Sequence, residues 1–331
     1  MLISLRHVIR IDVTPPLPRT VFALRLTAQS YAGHDVETWV VSAPGLDNAP
    51  QSVDGYGNVV RLITPPMDLD EIEIEVCGTV NRVDNVGVVK DLMEPCRSQV
   101  YLRQTRLTKA VGSIAALIDD ISASSPLAVM HAWNEAIHLR WTFVDRAAEG
   151  ADSEVDDEDG DGSVPDRGGD LHAHGDDDQS AMGAETEISH RAEPMAVVAQ
   201  ADSGDAVDLA HVFVSGARHL NLPARVIHGY IVCDFAGANG ENDEAETRGA
   251  PLTSGRHTWA EVFIQGLGWV GFDPVLNQCP TDRYIRLTCG LDAEDAGMLR
   301  SAPGLDQLGQ VTETIVLELV DDDEAEEDDG A

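Results

Sequence analysis

At 331 residues, 43% of them apolar, the chain has room for about two domains, each with its own core. A net charge of −36 argues against nucleic acid and anionic membrane surfaces as partners. Much of that charge is local: Glu149 to Glu193 holds 16 acidic residues against Arg167 and Arg191, and Asp321 to Asp329 adds 8 more.

The N-terminus MLISLRHVIRIDV alternates apolar residues with Arg and Asp, unlike the apolar core of a signal peptide. No apolar run approaches the roughly 20 residues of a membrane-spanning helix. Ile3 to Val13, Thr20 to Thr27, Val59 to Ile63 and the alternating DEIEIEVCGTV around Ile72, Ile74 and Val76 predict strands, separated by PPLP, DGYGN and TPP turns. After Thr108 the period becomes helical, with Val111, Ile114, Ile118 and Ile121 on one face. A second helix is expected over Leu127 to Phe143, behind Pro126. The acidic stretch at about 147–193 is poor in aromatics and rich in Asp and Gly, and reads as a disordered insertion.

A third helix is expected from Ala206 to Leu220, then strands in NLPARVIHGYIV, HTWAEVFI and GWVGFDP, a last strand over Thr314 to Val320, and an acidic tail. This order predicts an α+β fold. An N-terminal antiparallel β-sandwich-like domain spans 1–107. A helix-and-strand core follows over 108–320, carrying the insertion, and a disordered tail occupies 321–331. Cys77, Cys96, Cys233, Cys279 and Cys289 are odd in number, scattered and without C-x-x-C spacing, which fits reduced thiols in a cytoplasmic protein.

The candidate chemistry lies in the second half. His257 stands near a strand start and Asp273 at a strand end, a placement that lets a carboxylate fix the tautomer of an imidazole. Such a pair activates a nucleophile best at a helix N-terminus, where unpaired N–H groups and the dipole stabilise negative charge. The helix start Ser203-Gly204-Asp205-Ala206-Val207-Asp208 offers an N-cap in Asp205 and an acidic third position in Asp208, but only a methyl group at Ala206.

Four ordered motifs carry a resemblance: GDAVDLAH (204–211), LPARVIHGY (222–230), HTWAEV (257–262) and GWVGFDP (268–274). Together they resemble the bacterial transglutaminase-like proteins, whose cores are related to papain-type cysteine proteases and use a Cys–His–Asp triad. LRLT (24–27) and DGYGN (54–58) resemble the β-rich region ahead of that core. The resemblance implies that His257 is the base, Asp273 its orienting carboxylate and Ala206 the position of the nucleophilic cysteine. A methyl group forms no acyl intermediate, so the implied function is a pseudoenzyme that binds a peptide or protein segment without a cofactor. The alternative is an active amide hydrolase or acyl transferase with a displaced nucleophile, for which Cys233 and Ser203 are the nearest side chains in sequence. The resemblance also implies peptide-ligase-like proteins of the ATP-grasp type as partners.

Other features read as structural. Trp259 and Trp269 lie on alternating strands and are expected in the core, with Trp259 a candidate for lining the cleft. Arg225 is expected to meet a carboxylate. Asp157, Asp159 and Asp161 match the first half of a calcium loop, but Pro165 and Gly168 occupy the places of later ligands. His172 and His174, with Asp170 and Asp176, lack the rigid frame of a metal site.

Overall fold

A computed structural model describes residues 1–14, 19–146, 185–187, 192–233, 249–250 and 252–320. The calcium-loop candidates Asp157, Asp159 and Asp161, the His172 and His174 pair and the acidic tail lie outside the described residues. In chain order the strands are β1 (Leu2–Asp12), β2 (Val21–Leu24), β3 (His34–Ser42), β4 (Gln51–Val53), β5 (Val59–Ile63), β6 (Glu71–Arg82) and β7 (Val88–Val89). After helices α1 (Gly112–Asp119) and α2 (Pro126–Arg140) come β8 (Thr142–Phe143) and β9 (Glu185–Glu187). The rest comprises α3 (Met195–Val198), β10 (Ser203–Gly204), α4 (Ala206–His219), β11 (Ala224–Ile231), β12 (Gly255–Ile264), β13 (Gly268–Phe272), β14 (Tyr284–Gly290), α5 (Ala293–Ala296), β15 (Leu299–Ala302) and β16 (Val311–Val320).

The result is a mixed α and β fold, richer in strand than in helix. Three larger sheets have the orders β3-β6-β1-β16-β9, β15-β2-β5-β4 and β14-β11-β12-β13-β7, with a short parallel pair β10-β8. The alternation read from DEIEIEVCGTV is realised in β6, where Ile72, Ile74, Val76 and Val80 are fully buried and Glu71 and Glu73 face solvent. Strand β16, grouped with the second unit on sequence, pairs along its length with β1 from Leu2↔Val320 to Ile11↔Val311. Strand β15 likewise pairs with β2. With β6 on one edge of β1, β16 covers the other, so neither edge of β1 is left unpaired. Glu185–Glu187, within the stretch expected to be disordered, adds to the outer edge of β16.

Two buried clusters make up most of the interior. One joins β1, β2, β5 and β6 with Tyr230, Ile285 and Leu287; the other joins α1, α2 and α4 to β11, β12 and β13. Helix α2 starts where Ser125 accepts from Ala128 N–H and Pro126 takes a first-turn position. It stops at Arg140, earlier than expected, because Thr142–Phe143 pairs with Ser203–Gly204. That pairing places the entry to α4.

Glycine at position 216, inside α4, costs about 1 kcal/mol against alanine in helix propensity. The gain is contact, since the Trp133 indole lies where a Cβ would sit, 2.7 Å from it, and donates Nε1–H to the Phe213 carbonyl.

Candidate active site

Helix α4 begins as its sequence dictates. Asp205 is the N-cap and its side chain accepts the Asp208 N–H at 2.9 Å. Ala206 is the first helical residue, partly buried, and packs against the cluster that contains Trp259, Ala260, Phe272 and Tyr284. The side chain of Asp208 is 2% exposed. Burial first, then the neighbouring Asp205 charge, raises its pKa to about 6, against the pull of Arg146. Arg146 bridges both carboxylates, at 3.3 Å to Asp205 and 3.0 Å to Asp208.

On the sheet, His257 is the third residue of β12 and Asp273 directly follows β13. They meet: His257 Nε2 lies 2.7 Å from Asp273 Oδ2, and both side chains are fully buried. Oδ2 also accepts the Tyr284 hydroxyl at 2.6 Å, and Oδ1 accepts the Val275 N–H at 2.9 Å. Burial alone would raise the Asp273 pKa, but the charge of His257 and these hydrogen bonds hold it below the usual carboxylate value. An ionised Asp273 accepts the Nε2–H of His257 and leaves Nδ1 outside the pair. Among the described residues, that Nδ1 is buried and has no hydrogen-bond partner.

The pair is held from several directions. Gln278 donates to the Tyr284 oxygen at 3.0 Å, and Asn134 of α2 donates to the Asp273 carbonyl at 3.1 Å. Burial, then Asp273, keeps the Tyr284 phenol far above its ordinary pKa, so it acts as a fixed donor. Trp259 is 2% exposed and its ring lies over Gly229, 2.6 Å from where a Cβ would stand. It stacks near His257, with ring centroids 6.3 Å apart, and is a wall of the site rather than an open platform.

Of the expected residues, the structure joins His257, Asp273 and Trp259 directly and sets Ala206 in the same packed cluster. Cys233, partly buried, follows β11, and Ser203 lies in β10; neither hydrogen-bonds to His257. Tyr284, Gln278 and Asn134 escape sequence reasoning. Tyr284 sits in DRYIRLT, outside the four motifs, and reaches Asp273 only because of the sheet order.

Beneath the site, Arg225 is wholly buried between Glu261 at 2.6 Å and Glu94 at 2.9 Å, with its guanidinium 3.9 Å from the Trp269 ring centroid. Glu261 also binds Arg286 at 2.9 Å. Burial would raise the Glu261 pKa, yet the two guanidiniums hold it down. Glu261→Ala therefore strips Arg286 of its carboxylate and Arg225 of one of two. The expected loss is about 3–5 kcal/mol in urea unfolding, and a loss below about 1 kcal/mol would show that the network is not holding β11, β12 and β14 together.

The mixed fold carries a transglutaminase-like core around the paired His257 and Asp273. Residues 178–274, under a third of the chain, match the Transglutaminase-like superfamily core, a span that contains Ala206 and His257 and ends one residue past Asp273. The chain thus carries a transglutaminase-like superfamily domain. Its fold is similar to that of a candidate cysteine protease from Cytophaga hutchinsonii, with TM-score 0.58 and 15% identity over 96% of this chain and 89% of that one. The periplasmic domain of TgpA from Pseudomonas aeruginosa also matches, at 13% identity over 83% of this chain, both free (TM-score 0.36, 88% of that chain) and bound to ethylmercury (0.35, 90%). No curated protein matches the sequence.

Proposed function

We propose that this protein is a transglutaminase-like pseudoenzyme that holds a peptide or protein segment at the start of α4 without attacking it. The observation that carries the reading is the contrast between an intact His257–Asp273–Tyr284 arrangement and a methyl group at Ala206. Among the described residues Nδ1 of His257 is buried without a hydrogen-bond partner, so a polar group of the bound segment would satisfy it. Among the described residues, nothing accepts from the N–H groups of Ala206 or Val207, which suit a peptide carbonyl.

A displaced nucleophile is disfavoured by the same geometry. Nε2 of His257 is taken by Asp273 and Nδ1 has no partner, so no hydroxyl or thiol among the described residues is within hydrogen-bond reach of the base. A cytoplasmic setting and ATP-grasp peptide-ligase-like partners accompany this proposal.

The test is selection of peptides from a displayed library on the full chain. Enriched peptides should dissociate intact and lose at least tenfold affinity on Ala206→Trp, which fills the space at the helix start. Cleaved peptides, or affinity indifferent to Ala206→Trp, would contradict the reading.

A further inference from the structure

A second feature lies on the same sheet face, outside the His257 and Asp273 pair. Tyr31, Arg82, Asn85, Trp259, Glu261 and Tyr284 are among the residues that line a recess, partly open to solvent, whose enclosed part has room for little more than a water-sized group. Arg82 is 6% exposed. Its Nη1 donates to the Gly33 carbonyl at 2.5 Å and its Nη2 to the Thr281 carbonyl at 3.1 Å, while among the described residues its buried Nε–H has no partner.

The charges do not balance. Glu261, the one carboxylate in the wall of the recess, is already shared by Arg225 and Arg286. Glu94 is bound to Arg225. Among the described residues no carboxylate pairs with Arg82, so this group holds three guanidiniums against two carboxylates. A nearly buried guanidinium whose partners are two carbonyls and the Tyr31 ring, 5.9 Å from its centre, lacks the opposite charge such groups ordinarily have. His34, packed on Tyr31, reports the same field. Its pKa falls to about 3, through burial first and then the positive charges of Arg82 and Arg286.

We infer that this recess is a carboxylate-binding site in which Arg82 supplies the counter-charge and Tyr31 and Trp259 form aromatic walls. The unpartnered Nε–H provides a charge-assisted hydrogen bond to the carboxylate. The restricted room suits a single carboxylate group at the end of a molecule, from either a small organic acid or the C-terminus of a peptide. This inference stands whether or not a segment binds at α4.

The full chain is titrated with sodium acetate, with sodium chloride at matched ionic strength, and with Ala-Ala-Ala carrying a free or an amidated C-terminus, followed by tryptophan fluorescence and thermal shift. Acetate should bind saturably and at least tenfold more tightly than chloride. Arg82→Gln should abolish the response. Because Arg82 also holds the Gly33 and Thr281 carbonyls, Val88→Phe, which narrows the recess and keeps its charge, provides a second variant and should weaken acetate at least tenfold. Preference for the free-acid peptide over the amide assigns the site to a chain terminus; acetate binding without that preference assigns it to a free acid. Wild-type protein that does not distinguish acetate from chloride, or acetate binding unchanged in both variants, overturns the inference.

Discussion

Ala206→Cys should create a thiol that alkylates with iodoacetamide at pH 7 at least about tenfold faster than an ordinary cysteine. Position 206 is the first residue of α4, where the helix dipole favours a thiolate. Asp273 accepts the Nε2–H of His257, and among the described residues Nδ1 has no partner. Two carboxylates work against this. Asp205 adjoins the new thiol and Asp208 is two residues on, so their charges raise its pKa, although Arg146 bridges both. Removing the nearer charge while keeping the N-cap should help: Ala206→Cys with Asp205→Asn should react faster than Ala206→Cys alone. Adding His257→Ala should return the rate to that of an ordinary cysteine. A rate unaffected by His257→Ala would show that the His–Asp pair does not address this position.

Acid should unfold the protein early. His34 and His211 are wholly buried, and each accepts a backbone N–H at Nε2, from Arg286 at 3.2 Å and from Ala293 at 2.9 Å. Protonation removes the acceptor. Burial, then neighbouring positive groups, lowers both pKa values to about 3. These are bases depressed in the folded state, so their stabilising contribution is full above the ordinary pKa near 6.5 and is lost as pH falls toward 3. At pH 4.5 each has lost close to 3 kcal/mol. Asp208 acts oppositely: an acid raised to about 6 favours the folded state as pH falls from 6 toward 3.8, by about 2 kcal/mol at pH 4.5. Two histidines outweigh one aspartate, and partly buried His228, lowered to about 4, adds to their side. Urea unfolding should therefore show a loss of roughly 5 kcal/mol between pH 7.5 and pH 4.5, and His211→Asn should flatten the slope. A flat profile over that range would refute the neutral-histidine account.

How much was legible in the sequence depended on whether a residue's role is local. The caps of α4, the alternation of β6 and the span Val59–Ile63 follow from neighbouring residues alone, and the structure has them where the pattern puts them. Strand β14 was silent because all seven of its residues are buried, so no alternation marks it. The long partner of β1 was recognisable as a strand, but not its pairing, which joins residues about 300 positions apart.

The site divides in the same way. His257 and Asp273 were placed by strand ends and motif spacing. Tyr284 was not, because its contact with Asp273 exists only once β14, β11, β12 and β13 lie side by side. The Arg225 partner was foreseen only as a carboxylate, since naming Glu261 needs the cross-strand register Arg225↔Glu261.

The central claim is that a preserved His–Asp pair has no nucleophile to activate. The most direct measurement is mass-spectrometric mapping of adducts on the wild-type chain and His257→Ala after exposure to a thiol- and hydroxyl-reactive electrophile. The account predicts slow labelling, spread over the accessible cysteines and equal in the two proteins. Rapid labelling at one residue, abolished by His257→Ala, would contradict it and identify a working nucleophile.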